Sequence, residues 1–127
     1  MNSSMKKILF ADDSPSMRLF ASLSLSDEFE IDTACDGEDA LKYLKTKDYD
    51  LFLVDVYMPK IDGISLVKKI REFENSRFKP IIIISTEADE SLFSKGRDAG
   101  ATGWIVKPFD KDYLLKAVKH ILFGKGR

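Results

Sequence analysis

The chain has 127 residues, of which 44% are hydrophobic and 32% charged, with a formal net charge of -1. That length suits one domain with a real core, and the near-neutral balance gives no electrostatic case for binding nucleic acid or an anionic membrane surface. Cys35 is the only cysteine, so no intramolecular disulfide is possible, and its expected role is that of a small buried apolar residue.

Lys6-Lys7 is followed by only four apolar residues before Asp12. A secretory signal needs an apolar stretch of about 7–15 residues, and a membrane helix about 20. The expectation is a cytoplasmic protein with one domain over residues 1–127. Gly124-Lys125-Gly126-Arg127 reads as a short flexible basic tail.

Strand and helix signals then alternate along the chain. Lys6 to Ala11 is a strand ending on Asp12-Asp13. Ser14-Pro15 opens a helix, with a capping serine and a proline at the first helical position. Met17, Phe20 and Leu23 follow at helical spacing. Glu28 to Ala34 alternates polar and apolar residues, as an edge or half-buried strand does, and ends on Cys35. Asp36-Gly37-Glu38-Asp39 opens a second helix whose Ala40, Leu41 and Leu44 face inward. Leu51 to Val54 is continuously apolar, the mark of a fully buried strand, and it ends on Asp55.

Pro59 and Gly63 punctuate a loop from Met58 to Gly63, and Ile64, Val67, Ile70 and Phe73 or Glu74 carry a third helix. Asn75 to Lys79 is polar and ends that helix before Pro80. The four isoleucines Ile81–Ile84 form the strongest strand signal, because β-branched residues favour the extended state; this strand ends on Ser85-Thr86. Ala88 to Ala99 is a weaker helix with only Leu92 and Phe93 as large apolar residues, Gly96 inside it and Gly100 closing it. Thr102 to Val106 is the fifth strand and ends on Lys107-Pro108. Asp110 begins a last helix with Leu114, Leu115, Val118, Ile121 and Leu122 as its inward stripe.

Strand–helix alternation repeated five times implies an α/β fold: a doubly wound five-stranded parallel sheet, flavodoxin-like, with helices on both faces. In such sheets sites form at the carboxyl ends of the strands, where the strand order reverses. An order of 2-1-3-4-5 puts the reversal between the first and third strands, which carry Asp12-Asp13 and Asp55. Three carboxylates in one crevice repel each other unless a cation or a proton intervenes. With no second cysteine and no suitably placed histidine, the oxygen-only set favours Mg²⁺, or Mn²⁺ in its place, over zinc. A carboxylate beside such a cation can attack phosphorus and form an aspartyl phosphate. Lys107 can balance the phosphoryl charge and Ser85 can donate to a phosphoryl oxygen, which supplies the positioning and neutralisation that phosphoryl transfer requires.

Asp12-Asp13, Asp55 with Met58-Pro59 and Asp62-Gly63, the hydroxyl at Ser85, and Lys107-Pro108-Phe109 stand in this order on these strand ends. In this the chain resembles the response-regulator receiver domains of two-component signalling, of the single-domain CheY-like kind, over roughly Lys6 to Leu122. The resemblance implies that Asp55 is the phosphoacceptor, that Asp13 binds Mg²⁺ directly, and that Asp12 holds metal-bound water. It also implies Asp55 and the backbone carbonyl of Tyr57 as metal ligands, Lys107 and Ser85 at the phosphoryl group, and a cis peptide bond before Pro108. Trp104 takes the place of the switch aromatic, usually tyrosine or phenylalanine. Ser85 stands where many members have threonine. Tyr57, two residues past Asp55, is expected to cover the acid pocket partly and slow water attack.

The resemblance further implies that a histidine kinase or phosphotransfer protein donates the phosphoryl group. A downstream protein would read the face of the fourth helix, fifth strand and fifth helix. Such a protein catalyses only its own phosphorylation and dephosphorylation and contacts neither nucleic acid nor membrane. Flagellar-motor control or a phosphorelay would be its setting. Other readings remain beside it. The chain could be a receiver cut from a longer transcriptional regulator. A haloacid-dehalogenase-type phosphatase would need an aspartate where Tyr57 stands. A flavin carrier would need a hydroxyl- and glycine-rich phosphate loop where Asp12-Asp13 stands. Taken singly, each site residue also has a plain role: caps for the aspartates, a turn for Ser85 or Thr86, and a solvated lysine. His120 reads as a plain surface residue, and Lys111, Lys116, Lys119, Lys125 and Arg127 as a solvated face.

Overall fold

A computed structural model describes residues 5–124; the ends of the basic tail, Lys125 to Arg127, lie outside it. The elements run β1 (Lys7–Ala11), α1 (Pro15–Leu25), β2 (Glu30–Ala34), α2 (Gly37–Thr46), β3 (Leu51–Asp55), α3 (Gly63–Glu72), β4 (Ile81–Ser85), α4 (Glu90–Ala99), β5 (Gly103–Val106) and α5 (Lys111–Phe123). The five strands form one parallel sheet in the order β2-β1-β3-β4-β5, as the alternation of strands and helices predicts.

Side chains alternate across the sheet and divide the core in two. Leu9, Phe52, Val54, Ile81 and Ile83 face α2, α3 and α4, meeting Ala40, Leu44, Leu66, Val67 and Ile70. Ile8, Phe10, Leu51, Leu53, Ile82 and Ile84 face α1 and α5, meeting Ala21, Leu25, Leu114 and Val118. Central β3 and β4 are buried along their whole length, which is why their sequences are unbroken apolar runs. No helix among the described residues is long and apolar enough to cross a membrane.

Every helix starts on a residue whose side-chain oxygen accepts from a backbone amide three positions on: Ser14, Asp36, Asp62, Asp89 and Asp110. Each such cap satisfies a donor that the first turn leaves unpaired, a contribution of about 1 kcal/mol. The boundaries shift slightly from those read in the sequence. α4 begins at Glu90 rather than Ala88 because Asp89 caps it. β2 begins at Glu30, since Phe29 closes the turn after α1 and is buried there.

Two side chains stand differently from expectation. The inward face of α1 is Met17, Phe20, Ala21, Ser24 and Leu25, a row of i, i+3, i+4 neighbours. Leu23 lies off that row and is exposed, as is Leu19. Cys35 is exposed rather than buried. The ladder between β1 and β2 ends at Ala34, and the Cys35 amide donates to the Asp39 carboxylate in the turn that caps α2, which leaves the thiol outside the core.

Candidate functional site

The strand register builds the site. Ala11 pairs with Val54, so the next residues, Asp12 and Asp55, leave the sheet side by side. Ser85 pairs with Val106, and the Lys107 amide donates to the Ser85 carbonyl at 2.8 Å. Two acids, a hydroxyl and an ammonium therefore reach one edge of the sheet on adjacent strands. A carboxylate oxygen of each of Asp12, Asp13 and Asp55 lies within 4.8 Å of the others.

Asp12 is fully buried and its two oxygens already have partners. Oδ1 accepts from the Ser14 amide at 2.9 Å and Oδ2 from Lys107 Nζ at 3.1 Å. Asp55 is also buried, and its Oδ1 lies 3.1 Å from the same Nζ. Asp13 is exposed, and its carboxylate makes no hydrogen bond or ion pair among the described residues. The oxygens of Asp13 and the second oxygen of Asp55 are thus the carboxylate oxygens of the group with no hydrogen bond or ion pair among the described residues.

Burial pushes the Asp55 carboxyl up from 3.8 to about 6. The charges of Asp12 and Asp13 add to the rise, and Lys107 opposes it. Burial also works against the Lys107 charge, but the flanking Asp12 and Asp55 carboxylates outweigh it and hold the proton on Nζ more firmly than on a free lysine. The pocket therefore carries more negative charge than its single ammonium balances. It offers oxygen donors alone, the chemistry that hard divalent cations prefer. This donor set fits Mg²⁺.

The loops around the acids are closely packed. A Cβ on Gly63 would collide with the Asp55 carbonyl oxygen and sit 2.7 Å from Val56 Cα. Only glycine lets α3 begin directly against the backbone that carries Asp55. The Gly63 amide donates to Val56 O at 2.8 Å and closes the loop. Within that loop Lys60 has φ of 72°, and its ammonium lies 3.5 Å from both Asp36 and Glu38 at the start of α2. Tyr57 is half-exposed, and its hydroxyl donates to Glu87 Oε1 at 2.9 Å, spanning the loops after β3 and β4. Ser85 is buried at the end of β4 while Thr86 is exposed, and the Ser85 Oγ accepts from the Glu87 amide at 3.0 Å. The Lys107–Pro108 peptide is cis.

The receiver family model, "Response regulator receiver domain", matches residues 8–119. The chain belongs to the response-regulator receiver domains. It is 37% identical over 119 residues to the response regulator ArlR of Staphylococcus aureus (strain Mu50), covering 93% of this chain and 53% of that protein. It thus spans about half the length of the curated relatives it matches. Among solved structures it is similar to the chemotaxis protein CheY4 of Vibrio cholerae. There the identity is 39%, the TM-score 0.91, and the match covers 93% of this chain and 99% of that one. It is also similar to the receiver domain of sensor histidine kinase PA1611 from Pseudomonas aeruginosa PAO1, whose structure has a magnesium ion coordinated in the active site cleft. That likeness has 26% identity and a TM-score of 0.84 over 93% of this chain and 98% of that one.

Farther out, Trp104 packs beneath α4. Its ring meets Phe93 edge-on with centroids 4.7 Å apart, and a Cβ on Gly96 would lie 2.7 Å from its Cζ3. The Nε1 is buried and makes no hydrogen bond among the described residues. His120 is exposed on α5, as expected. The sequence reading missed Arg18, Glu87 and Arg71. Glu87 stands two residues past Ser85 and Arg18 six past Asp12, spacings that acquire meaning only once the loops and the first turn of α1 are in place.

Proposed function

We propose that this receiver domain is a phosphorylation-activated switch that accepts a phosphoryl group on Asp55. The observation that carries the reading is the buried Asp55 carboxylate, held by Lys107 and grouped with Asp12 and Asp13 within 4.8 Å. In the transfer an Asp55 oxygen forms a new O–P bond as the N–P bond of a donor phosphohistidine breaks, and the freed imidazole keeps the electron pair and takes up a proton. Asp13 and Asp55, with the Tyr57 carbonyl, would hold Mg²⁺ or Mn²⁺, and Asp12 a metal-bound water. The cation would supply charge neutralisation for the phosphoryl oxygens. Lys107 draws charge from the transferring group, and Ser85, whose Oγ already accepts from the Glu87 amide, keeps its proton free for a phosphoryl oxygen. The protein would act on itself alone and turn over no separate substrate.

The donor would be a histidine kinase or phosphotransfer protein. The read-out would pass through α4, β5 and α5 to a protein partner, in chemotaxis or a phosphorelay, without direct contact to nucleic acid or membrane. Support comes from α4, which exposes most of its residues and carries Leu92 and Phe93 as its only large apolar anchors, so moving it costs little. The likeness to CheY4 supports the chemotaxis setting. A second reading, the receiver half of a longer transcriptional regulator, is favoured by the partial coverage of ArlR; the length of the native gene product decides between them. Trp104 is the only tryptophan, and its emission should change on adding Mg²⁺ and then beryllofluoride. An unchanged signal in wild type, or the same change in Asp55→Asn, overturns the switch.

A further inference from the structure

Among the described residues Arg18 is the one guanidinium in contact with the acid pair, and the phosphoryl chemistry leaves it without a role. From the first turns of α1 its Nη1 donates to the backbone carbonyl of Asp12 at 2.8 Å. That carbonyl belongs to the peptide unit that joins Asp12 to Asp13. Asp12 itself is held three ways: its amide donates to Ala34 O at 3.0 Å, and its carboxylate is shared between the Ser14 amide and Lys107. Asp13 is exposed, and no side chain among the described residues holds its carboxylate. The place of the Asp13 carboxylate is therefore set by the orientation of the Asp12–Asp13 peptide. Rotating that peptide would carry the Asp13 oxygen out of the three-acid group.

We infer that Arg18 is a positioning residue for the cation site: by gripping the Asp12 carbonyl it fixes the Asp12–Asp13 peptide and keeps the Asp13 carboxylate in reach of the divalent cation that Asp55 shares. This rests on the reading of the three acids as a cation site. The inference has a sign that simple electrostatics does not share. A guanidinium beside a divalent cation repels it, so charge alone predicts tighter binding once Arg18 is removed. Positioning predicts weaker binding, as when an outer partner of a metal ligand is lost.

Calorimetric titration of Mg²⁺ into the whole chain separates the two. Arg18→Ala and Arg18→Met should each weaken Mg²⁺ roughly tenfold, the low end of the effect of losing such a partner; the methionine keeps the apolar stem and loses only the donors. Arg18→Lys should recover part of the affinity, because an ammonium restores one donor but not the planar fork. Thermal unfolding with the cation chelated supplies the control: a merely structural role would lower that midpoint in the alanine and methionine variants and leave Mg²⁺ affinity as in wild type. Equal or tighter binding in Arg18→Met overturns the inference and leaves the cation site standing. Wild-type protein that binds no Mg²⁺, like the Asp13→Asn control, overturns the cation site itself.

Discussion

Tyr57 and Glu87 stand two residues beyond Asp55 and Ser85, and their side chains meet at 2.9 Å between the loops after β3 and β4. The bridge anchors Tyr57 at its tip rather than leaving it free to swing. If the anchored ring screens Asp55 from water, Tyr57→Ala shortens the lifetime of phosphorylated protein by roughly several-fold, since water exclusion protects reactive intermediates from hydrolysis. Decay of acid-labile phosphate at fixed Mg²⁺ measures it, and an unchanged rate refutes the role. Asp12, Asp13, Asp55, Ser85 and Lys107 were legible in the sequence because a parallel sheet brings strand ends together whatever the loops do. Glu87 and Arg18 were not, because their contacts depend on where a loop or a helical turn points a long side chain. The left-handed residue in the loop after β3 is Lys60, not one of the punctuating Pro59 or Gly63; its two acidic partners at the start of α2 are distant in sequence.

The fourth helix shows how an element can be weakly written and still well placed. Gly100 ends α4 in the left-handed region at φ 114°, as the sequence suggests, but what fastens that end is Arg71 of α3. Its Nε and Nη2 donate to the Gly100 carbonyl at 3.0 and 2.7 Å, and its Nη1 reaches the carbonyls of Ser76, Arg77 and Lys79. One side chain thus organises the connection into β4 and the end of α4, while the start of α4 depends on little beyond its Asp89 cap. Arg71→Ala leaves several carbonyls without a donor and should destabilise the protein by about 2–4 kcal/mol in urea unfolding. Arg71→Lys should recover only a minor part, because a point donor cannot serve two loops at once. The sequence reads residues 75–79 as a polar break, although Phe78 stands among them and is exposed; the order of that segment comes from an arginine upstream in a helix, which no local pattern reveals.

At the scale of the whole molecule, the raised Asp55 carboxyl couples site and stability. Its folded value of about 6 exceeds the ordinary 3.8, so the folded protein binds this proton more tightly than the unfolded chain. Stability then falls as pH rises through about 4 to 6, and above that window the protein carries the full cost of an ionised Asp55. Allowing for solvent screening, that cost is about 1–2 kcal/mol. Mg²⁺ offsets it only where the carboxyl is ionised, so the rise in melting temperature on adding Mg²⁺ should be larger at about pH 7.5 than at about pH 5. In chelator at about pH 7.5, Asp55→Asn should melt above wild type; a lower midpoint contradicts the burial argument. The architecture itself was readable nearly in full, since four apolar runs and one alternating strand, separated by amphipathic helices, admit few topologies. What escaped was the rotation of single residues off their element's inward row, Leu23 on α1 and Cys35 past β2, where a cap or a turn overrides composition.

The outward turn of Cys35 has a practical side. The chain holds one thiol and one indole. Cys35 follows β2 and Trp104 lies in β5, the two edge strands of the sheet, with the acid pocket between them. Four strand spacings separate those edges, roughly 19 Å. A dye attached to the native thiol would make an energy-transfer ruler with the native indole, with no substitution needed. It would report the span across the pocket while leaving α4 and α5 uncovered.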